Sequence, residues 1–283
     1  MSLLVFGRTG QVARELVRRA PCATFLSRTE ANLREPQRCA EAILASGATA
    51  IVNAAAYTAV DAAETDWETA LLVNATAPAA MACAAAAKGI PFVTMSTDYV
   101  FDGSGSDPFT PDHPPAPLNA YGRSKAMGED QIRSAGGAAA ILRTSWVFSG
   151  HGSNFVKTLV TLAGTRESIA VVADQVGGPT PAGALAEALL MMTSRLAVRP
   201  DLAGTYHLSG WPDVRRSDFA RAIMLAAGLE TQIVDVETAD LQSPAARPLN
   251  SRLDCSSFTR CFGTERPSWR AALGRLLEGE APE

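Results

Sequence analysis

The chain opens with Leu3-Leu4-Val5-Phe6-Gly7-Arg8-Thr9-Gly10-Gln11-Val12-Ala13, and this stretch decides its class. Four consecutive apolar residues suit a short buried strand. Gly7 ends the run, and residues from Gln11 to about Ala20 read as a helix. A strand, a glycine turn and a helix in succession suit a pyrophosphate. Glycines let the backbone approach phosphates, and the helix N-terminus offers free N–H groups at its positive end. The spacing is Gly-x-x-Gly-x-x-Ala, with Ala13 where helix and strand pack closely. Alone, the same turn also suits a tight connection that binds nothing.

Working outward, strands and helices alternate. Strands are expected at Ala23–Leu26, Ile51–Ala54, Phe92–Met95 and Ala139–Val147. Helices are expected near Pro36–Ala45, over the alanine-rich Trp67–Lys88, and over Leu118–Arg133. Such alternation predicts an α/β fold, a doubly wound parallel sheet of the Rossmann kind with ligands at the carboxyl ends of its strands. After about Phe148 the regularity weakens. Helical patterns persist at Asn154–Leu162, Pro181–Arg195, Ser217–Ala227 and Trp269–Leu277, and Thr205–Leu208 reads as a strand that rejoins the main sheet. The expected division is a dinucleotide-binding domain over 1–147, with elements near 181–210 returning to it. A smaller, mainly substrate-binding domain takes 148–283.

The chain has 283 residues, 47% hydrophobic and 19% charged, so it can bury a sizeable core. A net charge of -4 without a basic tract argues against nucleic acid. The first apolar run is too short for a signal peptide, and no run approaches the roughly 18 apolar residues of a membrane span. Cys22, Cys39, Cys83, Cys255 and Cys261 are scattered and odd in number, which suits reduced thiols. These features predict a soluble cytoplasmic protein.

The chemistry sits in Tyr121-Gly122-Arg123-Ser124-Lys125 and in Met95-Ser96-Thr97-Asp98-Tyr99 upstream. A Tyr and a Lys four apart share one helix face, within reach of a hydroxyl at the end of the preceding strand. Tyr121 would exchange a proton with a carbonyl oxygen, Thr97 would hydrogen-bond the same oxygen, and Lys125 would hold a nicotinamide ribose. A neighbouring ammonium and the positive ring of oxidised nicotinamide are expected to lower the tyrosine pKa toward neutrality. At the second strand's end stand Ser27-Arg28, without the acid that would take a ribose 2′-hydroxyl. Arg28 suits a 2′-phosphate, which favours NADPH. Asn32 and Leu33 flank the adenine side, and the small residues of Asn53-Ala54-Ala55-Ala56 would let a ribose and diphosphate pass.

These residues resemble the extended short-chain dehydrogenase/reductase superfamily. Within it, Ser96–Gly103, Tyr121–Lys125, Arg143–Phe148, Asn53–Asp61, Asp174–Thr180 and Arg247–Ser251 resemble, in order, the dTDP-4-dehydrorhamnose reductase family. The resemblance implies NADPH-dependent reduction of dTDP-4-dehydro-β-L-rhamnose to dTDP-β-L-rhamnose by a monomer or homodimer. It makes Thr97, Tyr121 and Lys125 catalytic. It puts Gly7, Gly10, Gln11, Val12, Asn32, Leu33, Ala56, Tyr57 and Thr58 at the cofactor, and Thr97, Asp98 and Trp146 at the sugar nucleotide. Asn154, Lys157 and Arg247 are candidates for the diphosphate or thymine. Some relatives hold Mg²⁺ between subunits through glutamates. Glu15 is present here, but the partner positions carry Gly183 and Arg270, so no metal is expected. Other readings are a 4-ketoreductase of another deoxysugar pathway, an epimerase, or a non-catalytic NADP-binding subunit like the accessory subunit of methionine adenosyltransferase.

Overall fold

A computed structural model describes residues 2–278; Met1 and the last five residues of the expected second domain lie outside the described residues. The opening strand β1 (Leu3–Phe6) leads through Gly7 into α1 (Gln11–Arg19), then β2 (Thr24–Leu26), α2 (Pro36–Ala45) and β3 (Ala50–Asn53). The next helical stretch has three parts: a short α3 (Val60–Ala63), α4 (Trp67–Leu71) and α5 (Ala77–Ala87). The alanine-rich segment is therefore not one regular helix, because Leu72–Thr76 between α4 and α5 winds as a π turn. Strand β4 (Phe92–Thr97), α6 (Ala120–Ala135) and β5 (Ala139–Thr144) complete this half. β4 runs two residues beyond its expected end, so Ser96 and Thr97 are held by the sheet itself.

The later chain forms β6 (Val147–Phe148), α7 (Phe155–Ala163), β7 (Ser168–Val172), β8 (Val176–Gly177), β9 (Thr180–Pro181) and the long α8 (Ala182–Val198). It continues through β10 (Gly204–His207), β11 (Val214–Arg215), α9 (Arg216–Ala226), β12 (Gln232–Val236), β13 (Asn250–Ser251), α10 (Ser256–Phe262) and α11 (Trp269–Leu277). The main sheet has the order β10-β5-β4-β3-β1-β2, with every pairing parallel. The order reverses between β1 and β3, and in open α/β sheets the crevice at that switch takes the ligand.

Side chains alternate across this sheet, as the strand period requires. Leu3, Val5, Val52, Val93 and Leu142 face a layer supplied by α1, α8 and α10. Leu4, Phe6, Ile51, Phe92 and Ile141 face α2, α5 and α6. Both faces are covered, which is why the strands read as continuous apolar runs. A separate core joins α7, α9, α11 and the β7–β12 pair around Phe219 and Trp269. The helical stretch Trp67–Ala87 does pass a length-and-hydropathy test for a membrane span, against the expectation that no segment would. It is 56% buried within the fold over its most apolar window and packs between α2 and α6 as a core element.

Candidate active site

The site grows from the carboxyl ends of β1, β3 and β4. Gly7 turns the chain with φ +106°, and its N–H donates to Leu26 O at 2.9 Å. A Cβ there would press on Ala54 C at 3.2 Å, so the first turn and the segment after β3 stand side by side. Gly10 is the N-cap of α1 and gives no side-chain cap, and a Cβ on it would meet nothing within 4 Å. The first turn of α1 thus keeps free N–H groups at an open surface without an acidic residue, as a dinucleotide pyrophosphate needs. Val12 points into the core. Gln11 Oε1 accepts from Ser149 Oγ at 2.9 Å and from Asn154 Nδ2 at 3.0 Å, tying this turn to the start of α7. Asn154 also caps α7, and Lys157 Nζ donates to Gly150 O at 3.3 Å, so both sit on the α1 side.

At the end of β2, Arg28 is exposed. Close by, an acid that sequence reading overlooked folds back: Glu30 Oε2 accepts from Ser27 N–H at 2.8 Å and from Ser27 Oγ at 2.7 Å. Asn32 Oδ1 accepts from Arg34 N–H at 3.1 Å, and Leu33 is buried beneath it. Beyond β3, Ala56 and Thr58 are exposed. Tyr57 is clamped by Asn74, whose Oδ1 accepts Tyr57 N–H at 2.9 Å and whose Nδ2 donates to Tyr57 O and to Ser124 Oγ, both at 3.0 Å. Asn74 lies in the π turn, a feature that recurs at functional sites. No motif in the sequence marks it.

Thr97 ends β4, and Tyr121 stands in the first turn of α6. Asn119 caps that helix, accepting Gly122 N–H at 2.7 Å. The Thr97 hydroxyl stands close enough to the Tyr121 phenol to act on its titration. Thr97 Oγ1 donates to Asp98 Oδ1 at 3.0 Å, and the Tyr99 ring packs edge-on against Tyr121 at 5.8 Å. Lys125, one turn along α6, donates from Nζ to Met95 O at 2.7 Å. Within the protein itself, burial pushes the Tyr121 phenol up, with Asp98 and Tyr99 adding to the effect and Thr97 opposing it. Burial also moves Lys125 down to about 8, with Glu129 opposing. The Asp98 carboxyl is pushed up to about 6 by burial, and its Oδ2 has no partner among the described residues.

Trp146 follows β5 with φ +48°, and its ring lies against Gly177. The Arg216 guanidinium stacks on it at 4.5 Å and on Phe155 at 4.2 Å, close to Asp98 and Tyr99. Sequence reading missed Arg216; it opens α9 without a motif, and only folding brings it beside Trp146. Arg247 pairs with Asp61 at 2.8 Å, and its segment is fixed by Asn119 Nδ2 donating to Ala246 O at 2.7 Å. Thr97, Asp98, Tyr121, Arg216 and Trp146 are therefore neighbours, and Tyr57 packs in the same cluster as Tyr121.

The divalent metal of some relatives does not fit here. Glu15 is buried, and its carboxylate is engaged by Arg19, Arg18 and His151. Arg19 Nη2 lies 2.7 Å from where a Cβ on Gly183 would stand. A guanidinium occupies the space that oxygen ligands would need. Among the described residues no group of three His, Cys, Asp or Glu could hold a metal.

The family model described as the RmlD substrate binding domain matches residues 1–281. The chain is 40% identical over 289 residues to a dTDP-4-dehydrorhamnose reductase of Burkholderia thailandensis, covering 97% of each protein. It is 39% identical over 290 residues to the protein of that name from Escherichia coli, covering 98% of this chain and 97% of the relative. A crystal structure of dTDP-4-dehydrorhamnose reductase from Bacillus anthracis in complex with NADP superposes with a TM-score of 0.89 at 31% identity, covering 99% of this chain and 100% of that one. Matched from end to end in sequence and in fold, the chain belongs to the RmlD family, that of the dTDP-4-dehydrorhamnose reductases.

Proposed function

We propose that the protein reduces the 4-keto group of dTDP-4-dehydro-β-L-rhamnose to give dTDP-β-L-rhamnose, with NADPH as cofactor. The observation that carries this reading is the meeting of Thr97, Tyr121 and Lys125 at the end of β4, beside an open helix N-terminus. Family membership over the whole chain supplies the substrate class. Bound NADPH supplies the hydride. The first turn of α1 would hold its diphosphate, Tyr57 and Thr58 would line its path, and Arg28 would pair with the 2′-phosphate. Lys125 would anchor the nicotinamide ribose.

Tyr121 and Thr97 would share the carbonyl oxygen of the sugar. Because burial raises its pKa, Tyr121 keeps its proton at neutral pH, the form a donor needs. Trp146 offers a flat wall to the 6-deoxy carbon. Arg216 and Arg247 supply positive charge on the side where the sugar's diphosphate would lie. The segments from 148 onward would mainly form the sugar-nucleotide pocket, while 182–207 belong to the cofactor-binding half. The partner is then a small molecule, not nucleic acid or membrane, and a monomer or homodimer in the cytoplasm suffices.

A panel of 4-keto-6-deoxy sugar nucleotides, followed by NADPH oxidation and by the C4 configuration of each product, tests the reading. The rhamnose precursor should turn over, and Tyr121→Phe should lose about 10²–10⁴ in rate while still binding NADPH. If another sugar alone reacts, the rhamnose assignment falls and a 4-ketoreductase remains. NADPH binding without turnover of any sugar would point instead to a regulatory subunit.

A further inference from the structure

Behind the catalytic face of α6 runs a row of buried charges that the chemistry above leaves unused. Lys125 and Glu129 stand four residues apart, so they share a helix face. They are 6% and 2% exposed. Both line a small crevice of about 10 Å³ together with Asn74, Thr94, Ser96 and Ile141. It has room for one water at most, and with both groups nearly out of contact with solvent the ammonium and the carboxylate are only weakly screened.

Beyond Glu129 the row continues. Arg143 on β5 donates to its carboxylate from Nε at 2.9 Å and from Nη2 at 2.5 Å. Arg133 approaches from the surface at 3.4 Å. Arg143 also reaches His207 Nε2 on β10 at 3.3 Å and Pro111 O at 3.1 Å. His207 stays neutral, because burial and the Arg143 charge lower it to about 3. The near end of the row is therefore a carboxylate fixed by two bonds, lining the same crevice as the lysine.

Resting on the carbonyl-reduction reading, we propose that Glu129, braced by Arg143, is a positioning residue that keeps Lys125 in its ammonium form beside Tyr121. Burial works against that charge, and Glu129 is the ionised group that supports it. The other groups facing Lys125 are neutral or remote. Tyr121 shares its helix, and β4 presents the Met95 carbonyl and the Ser96 hydroxyl. Asp98 lies beyond Tyr121, and Arg133 and Arg143 lie beyond Glu129. A neutral residue at 129 would leave the burial of Lys125 unopposed.

The test is the pH profile of kcat. In Glu129→Gln the alkaline limb, where Lys125 gives up its proton, should move to lower pH by about one unit. With Lys125 at about 8 in the parent protein, activity of the variant then falls around pH ~7 and recovers toward pH ~6. Glu129→Asp, which keeps the charge, should restore the limb. Glu129→Gln also leaves Arg143 buried without its partner, so Glu129→Gln/Arg143→Met is measured beside it, and the same displacement is expected. A uniform loss of rate with an unmoved limb, in whichever of these variants folds, overturns the proposal and makes Glu129 only a brace. NADPH binding by fluorescence over the same pH range needs no sugar. Its pH dependence should shift in the same direction. A wild type that binds NADPH with this shift in its variants but reduces no 4-keto sugar would sink the reduction reading, not the role of Glu129.

Discussion

At the end of β2, an exposed cation and a charged acid sit two residues apart. Hydrogen bonds from Ser27 hold Glu30 below the usual carboxylate range, aided by Arg8. Glu30 is thus committed to the turn, and Arg28 is the group free to meet a 2′-phosphate. Arg28→Ala should raise the KM for NADPH by about tenfold and leave that for NADH nearly unchanged, the loss of one charge-assisted contact. Steady-state kcat/KM with both cofactors checks this; an equal loss would place Arg28 away from the phosphate. Thr97, Tyr121 and Lys125 were legible in the sequence because helix spacing and one strand end bring them together. Asn74 and Arg216 were not, since a π turn and a far helix deliver them, and no local pattern encodes either. The depth at which the fold buries the Tyr121 phenol was not readable either, because it depends on packing from distant elements.

The element that matters most is α6, and its two glycines explain its fit. A Cβ on Gly122 would stand 2.1 Å from Tyr99 O, and one on Gly128 would stand 2.1 Å from Asn74 O. Both neighbours are backbone and cannot swing aside. The helix therefore lies close against the turn after β4 and against the π segment, and this contact aims Tyr121 and Lys125. Gly128→Ala should cost about 1–3 kcal/mol through overpacking and lower Tm by several degrees. Its Kd for NADPH should rise as well, because Lys125 rides on the displaced turn. Thermal melts and a cofactor titration check both; a variant with unchanged Tm would mean that the helix can shift freely. Element types were readable from apolar periodicity, down to the late strand at Gly204–His207. Their ends moved by a few residues, and the break in the alanine-rich helix escaped notice because alanine suits both windings.

For the molecule as a whole, Arg19 in the position of a metal predicts that EDTA dialysis leaves activity and Tm unchanged. Loss of either, restored by Mg²⁺, would show that Glu15 binds metal after all. Stability toward acid has two opposing contributions. His207 titrates at 6.5 when free and about 3 when buried, so its contribution is full above the first value and is lost as pH falls toward the second. Asp98 runs the other way: raised from 3.8 to about 6, its ionised form costs stability at neutral pH, and that cost disappears in acid. Each group takes up one proton, so the two nearly cancel between about pH 6 and 4, and the wider His207 shift should show as a fall in Tm below about pH 4. His207→Gln should flatten that slope in melts recorded across the range; an unchanged slope would assign acid sensitivity elsewhere.

The return of the chain to its first sheet has a consequence for synthesis. One face of β1, β3, β4 and β5 is covered by Leu185, Leu189, Met192 and Leu196 of α8, and β10 closes the edge beside β5. These residues leave the ribosome only after nearly two thirds of the chain has been made. Until then the nascent sheet carries an uncovered apolar face and an open edge, the combination that chaperones recognise and that favours aggregation. The first half is therefore no self-sufficient module, although it holds the glycine turn and the proposed catalytic trio. A ribosome stalled near residue 150 would present an adhesive intermediate, and the protein becomes independent only when its later half has folded back over what was made first.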